Sequence, residues 1–147
     1  MFKVKVIIQG KAKESWLGAA LAEYEKRLTG KMDIEWVLVN KFRELEEKAL
    51  KEPNLIALDV KGEYLTSEQF SLVLFSKWGA RPCFVIGGAE GLGVAVLQNA
   101  KHRLSLSPLT FTHQMARLIL VEQLYRALEI EEGSAYHKAP SVRADRK

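Results

Sequence analysis

Two stretches, Leu55-Ile56-Ala57-Leu58-Asp59-Val60 and Pro82-Cys83-Phe84-Val85-Ile86, constrain the fold more than any other feature of the chain. Each is apolar almost without interruption. A strand with one wet face alternates apolar and polar residues. A strand covered on both faces does not, and the first stretch reads as such a strand, of the kind found in parallel sheets, while the second reads as a further strand. The neighbouring segments supply the helices. Ser15 to Leu28 carries Trp16, Leu17, Ala20, Leu21, Tyr24 and Leu28 at helical spacing.

The same reasoning orders the whole chain. Val4, Val6 and Ile8 predict a first strand ending at Gly10, and Ile34 to Val39 a second. Lys41 to Lys51 is an amphipathic helix stopped before Pro53. Leu55 to Val60 is the third strand, with Gly62 expected at the turn after it. Thr66-Ser67-Glu68-Gln69 has the chemistry of a helix start, and Phe70, Val73, Leu74 and Trp78 give that helix an apolar face. Pro82 to Ile86 is the fourth strand. A short helix over Val94 to Ala100, a fifth strand over Arg103 to Leu106 and a long helix over His113 to Ile130 follow. Strands and helices alternate, which predicts one α/β domain with a mainly parallel sheet.

Size and composition agree. A chain of 147 residues, 48% of them hydrophobic, suits a single domain with a real core. The net charge of +4 permits an anionic partner without requiring one. Cys83 is the lone cysteine, so no disulfide forms within the chain, and its apolar setting predicts a buried thiol. No apolar run reaches the roughly 20 residues of a membrane span. The N-terminus lacks the long apolar core of a signal peptide, and a cytoplasmic protein is expected.

Ligands of open parallel sheets bind beyond the carboxyl ends of the strands. Three loops leave such ends here: Asp59 to Gly62, Gly87-Gly88-Ala89-Glu90-Gly91, and Ser107 to Thr110. The glycine loop is neither a dinucleotide fingerprint, because Ala89 stands where a second glycine is needed, nor a phosphate-binding P-loop. The spacing of His102, His113 and His137 matches no usual zinc site, so no metal is expected. No Gly-x-Ser-x-Gly elbow of a serine hydrolase occurs. Glu122 and Arg126 are placed to pair along one helix face. Tyr136, His137, Lys138, Arg143, Arg146 and Lys147 make an aromatic and cationic end. That end reads as a solvated terminus or as an arm for RNA.

Several segments together resemble the ribosomal RNA large subunit methyltransferase H family. They are Leu55 to Asp59 with Gly62, Ile86-Gly87-Gly88-Ala89-Glu90-Gly91-Leu92, Leu104 through Met115, Glu122-Gln123-Leu124-Tyr125-Arg126-Ala127, and Tyr136-His137-Lys138. Glu23-Tyr24-Glu25-Lys26-Arg27 looks similar as well. The likeness runs in order from residue 1 to about 138, the expected domain; residues 139–147 read as a basic extension, natural or artificial. The resemblance implies a SPOUT-type α/β knot, with a trefoil knot in the C-terminal part. It implies a homodimer that binds S-adenosyl-L-methionine in the knot. The implied reaction methylates N3 of a pseudouridine in 23S ribosomal RNA of the assembled large subunit or 70S ribosome. By position, Leu58, Gly87, Leu106, Ser107, Pro108, Leu109, Thr110 and Phe111 would hold the cofactor. His113, Arg126, Tyr136 and His137 match positions tied to substrate and catalysis, and either histidine could take the proton. Two departures stand out. Thr112 replaces a proline common among relatives, which is expected to loosen the turn, and residues 41–53 form a shorter segment than usual. Rival readings are a SPOUT methyltransferase acting on transfer RNA and a non-catalytic ribosome-binding factor. A nicotinamide-dependent oxidoreductase is disfavoured by the broken glycine pattern.

Overall fold

A computed structural model describes residues 1–138; the basic extension lies outside the described residues. The elements are β1 (Phe2–Gln9), α1 (Ser15–Leu28), β2 (Met32–Val39), α2 (Phe42–Leu50), β3 (Leu55–Tyr64), α3 (Ser67–Ser76), β4 (Cys83–Ile86), α4 (Val94–Asn99), β5 (His102–Ser105) and α5 (His113–Glu131). The five strands form one sheet in the order β2-β1-β4-β3-β5, and every strand pairing is parallel.

The uninterrupted apolar strands are explained by layers on both faces. Along β4, Phe84 and Ile86 join a core with α3 and α5, while Cys83 and Val85 point the other way, into a core with α2 and α4. All four residues of β4 are buried. Burying a side chain such as Phe84 or Ile86 contributes about 1.5–3 kcal/mol, so this central strand anchors the sheet. Leu17 and Leu21 of α1 pack on Val121 of α5 in a third cluster. Within it lies a charge: Arg117 is 2% exposed, donates from Nη2 to the Gly10 carbonyl at 2.7 Å, and has Trp36 6.0 Å from its guanidinium carbon.

Three differences from expectation matter most; the other element ends lie within a residue or two of it. The helix α3 starts where its sequence says, with Thr66 Oγ1 accepting from the Gln69 N–H and Gln69 answering at the Thr66 N–H. It ends at Ser76, so Trp78 packs from the following turn. The strand β5 begins one residue early, because His102 pairs with Ile56. Gly62 is not the turn after β3; it lies within it. Leu104 of β5 pairs with Leu58 and again with Glu63, with a register shift between the two. Gly62 lies in the shifted segment, close against the β5 backbone. A Cβ there would sit 2.7 Å from the backbone carbonyl of Arg103 and 2.9 Å from the Leu104 nitrogen. Only glycine permits that approach.

Thr112, expected to loosen its turn, instead caps α5: its hydroxyl accepts from the Met115 N–H at 3.2 Å. Among the described residues, no helix is long and apolar enough to cross a membrane.

Candidate active site

The middle of β3, at Leu58 to Val60, and the carboxyl ends of β4 and β5 open into one cleft of about 280 Å³. Six of the eight residues expected at the cofactor site form its wall: Leu58, Gly87, Leu106, Ser107, Leu109 and Phe111. Pro108 and Thr110 belong to the same loop but not to the wall. His113, expected among the substrate residues, lines the cleft too, from the first position of α5.

Local chemistry holds this shape. After β4, a Cβ on Gly87 would fall 2.6 Å from the Gly91 backbone, so the loop closes only with glycine there. The Gly91 N–H donates to the Gly88 carbonyl at 2.9 Å, and Gly91 has φ +71. After β5, Ser105 Oγ donates to the Ser107 carbonyl and Ser107 Oγ accepts from the Leu109 N–H, both at 3.0 Å. These side chains replace ladder partners that the strand no longer supplies. The cleft therefore has apolar walls, main-chain edges in two tight loops, and one carboxylate, Asp59, among its lining residues. Apolar walls with a few placed polar groups suit a small ligand with a flat ring and polar edges.

The other three expected residues lie elsewhere. Arg126 is thirteen residues after His113 on α5, about 20 Å along the helix. It pairs with Glu122 at 3.0 Å, and Glu122 holds its pKa above the ordinary value. The tail after α5 folds back on this pair. Tyr136 donates its hydroxyl proton to Glu122 Oε2 at 2.8 Å, rests edge-on against Tyr125, and has the Arg126 guanidinium 4.9 Å from its ring centre. Burial, then the bond to Glu122, pushes the Tyr136 phenol up. His137 Nδ1 lies 3.1 Å from Arg126 Nη1, and His137 Nε2 lies 3.1 Å from Glu68 Oε2. The ring beside it holds the Glu68 carboxyl below the usual range.

Sequence reading placed Asp59 in a ligand-facing segment but gave it no role, although it is the only charge within an apolar strand. It missed Glu68 at the tail, which carries no local signal, since its partner is 69 residues away. Cys83 lies in the core, where burial pushes its thiol up to about 12 and leaves it inert. Among the described residues, no group of His, Cys, Asp and Glu is placed to hold a metal ion.

Comparison with known proteins completes the picture. The family model described as "Predicted SPOUT methyltransferase" matches residues 2–137. Proteins named ribosomal RNA large subunit methyltransferase H are similar over nearly their full length. That of Protochlamydia amoebophila is 46% identical, across 94% of this chain and 100% of its own. That of Synechococcus is 41% identical, across 93% and 97%, and that of Bacillus pumilus 39%, across 92% and 99%. Among solved structures, a probable methylase family protein from Haemophilus influenzae shares the fold. Its TM-score is 0.59 at 11% identity, over 94% of this chain and 72% of that one. With an all-parallel sheet, a strand and two loops meeting in one cleft, and a family match from residue 2 to 137, this chain belongs to the SPOUT methyltransferase family.

Proposed function

We propose that the protein methylates N3 of a pseudouridine in 23S ribosomal RNA, using S-adenosyl-L-methionine, on the assembled large subunit or 70S ribosome. The reading rests on one observation above all: the middle of β3 and the loops after β4 and β5 converge in a single cleft, held by the close Gly87–Gly91 approach and by hydrogen bonds of Ser105 and Ser107. The residues present suit this donor. Adenine edges can be read by main-chain groups of the Gly87 and Ser107 loops, ribose hydroxyls by a carboxylate such as Asp59, and apolar walls exclude water. When bound, the donor supplies an activated methyl on a positive sulfur, so the protein needs no nucleophile.

What remains for the chain is alignment and the acceptor's proton. Holding both reactants in line can lower a barrier by about 7–11 kcal/mol. The N3 imide of the base must lose a proton as its nitrogen bonds to the methyl carbon. A fixed guanidinium such as Arg126 stabilises the anion, and His113 or His137 accepts the proton. Tyr136 and the basic tail suit stacking and phosphate contact.

The separation along α5 supports a homodimer. His113 and Arg126 do not converge within one chain, and a second copy could bring one chain's tail cluster to the other chain's cleft. Picking out one base is helped by a composite surface, which favours the shape of a whole ribosome. The cytoplasm, where ribosomes work, is the proposed location.

The test offers labelled S-adenosyl-L-methionine with ribosomes, stripped ribosomal RNA or transfer RNA, and maps the modified base by mass spectrometry. Label on one pseudouridine of 23S RNA in ribosomes is expected. Label on transfer RNA would move the protein to another substrate. Folded dimer that binds ribosomes but no donor would make it a non-catalytic factor.

A further inference from the structure

The tail cluster contains a chemical constraint on His137. A guanidinium only donates hydrogen bonds. Arg126 Nη1 lies 3.1 Å from His137 Nδ1, so that ring nitrogen must present its lone pair. In a neutral ring the proton then sits on Nε2, and Nε2 lies 3.1 Å from Glu68 Oε2. That contact is not aligned as a straight hydrogen bond, but the carboxylate faces the proton-bearing side of the ring. Both neighbours therefore favour one tautomer. They come from different elements, Arg126 from α5 and Glu68 from the first turn of α3, whose start is fixed by its capping box.

Arg126 is itself held in place. Glu122 accepts from its Nη2 at 3.0 Å and also takes the Tyr136 hydroxyl and the Gln123 amide. With its other side engaged by Glu122, Nη1 is left to His137.

The geometry points to Glu68 as a positioning residue that, with Arg126, fixes His137 as the neutral Nε2–H tautomer. His137 then orients the Arg126 guanidinium and is not the acceptor of the imide proton. The inference rests on the proposed methyl transfer for its meaning, since it decides between the two histidines left open above. His113, on the cleft wall, is the histidine that remains for the proton. The tautomer itself can be read without any reaction.

The experiment is nitrogen NMR of full-length protein labelled at histidine, assigned with His137→Asn. We expect His137 near neutral pH to show a protonated Nε2 and an unprotonated Nδ1, and Glu68→Ala to shift the ring toward tautomer exchange. A protonated Nδ1, or a Glu68→Ala spectrum unchanged at His137, overturns the assignment. Activity gives a second reading. Asparagine keeps an acceptor where Nδ1 stood, so His137→Asn should transfer methyl at least about tenfold faster than His137→Ala. A general base contributes roughly 100-fold or more, and equal loss in both variants would restore His137 as the proton acceptor. If the wild type methylates no RNA, the functional reading fails while the NMR result still decides the tautomer.

Discussion

Glu122 and Tyr136 are joined by a 2.8 Å hydrogen bond that fastens the tail onto the helix it has just left. The same carboxylate holds Arg126, so one side chain organises both. Hydrogen bonds to charged groups contribute about 1.5–3 kcal/mol each. Replacing Glu122 by Gln should therefore lower methyl transfer by roughly 10- to 100-fold. Affinity for S-adenosyl-L-methionine, measured by calorimetry, should stay unchanged, because Glu122 does not line the cleft. A parallel fall in donor affinity would mean the two regions are coupled.

Removing residues 136–147 tests the tail as a whole. Donor binding should survive, since the cleft wall ends at Ala116. Transfer to ribosomes should disappear. A truncated protein of equal activity would show that Tyr136 and His137 take no part.

Gly62 has backbone where a methyl group would go. Alanine there must push β3 away from Arg103 and Leu104, at a cost of about 1–3 kcal/mol for overpacking. Chemical denaturation should show that loss. Donor affinity should fall too, because Leu58 and Leu104, which pair beside it, both line the cleft. Unchanged stability would contradict the close contact.

The Tyr136 phenol titrates above its ordinary value near 10. The folded protein thus holds this proton more tightly than the unfolded chain does. Its stabilising contribution is complete below pH 10 and is lost as pH rises toward the folded value. Wild type should be more stable than Tyr136→Phe at pH 8, and the gap should narrow above pH 10. A gap constant through that range would show that the phenol is not raised.

Cys83 offers a simple check of the core. With its thiol pushed up to about 12, its thiolate at pH 8 is roughly a thousandfold scarcer than that of an ordinary cysteine. The native protein should resist thiol reagents that label the denatured chain within minutes. Fast labelling of native protein would place Cys83 outside the core.

Much of the fold could be read in the sequence because its signals are local. The run Leu55 to Val60 declared a doubly covered strand, and Leu55, Ile56 and Ala57 are fully buried. Thr66 and Gln69 declared a helix start, and both reciprocal bonds are present. Gly62 was misread because a glycine after a strand ordinarily means a turn. Its real demand comes from Arg103, some forty residues on, and no window of sequence displays that. The tail followed the same pattern. The Glu122–Arg126 pair was legible from helical spacing, but the Glu68 contact depends on where the tail folds back. The distance from His113 to Arg126 could have been read from helical rise alone.

The order of the sheet also bears on how molecules of this kind meet. It leaves β2 at one margin, and β2 carries Asp33 and Glu35, whose like charges oppose a second β2 laid alongside. Growth of the sheet by strand addition on that flank is thereby discouraged by repulsion.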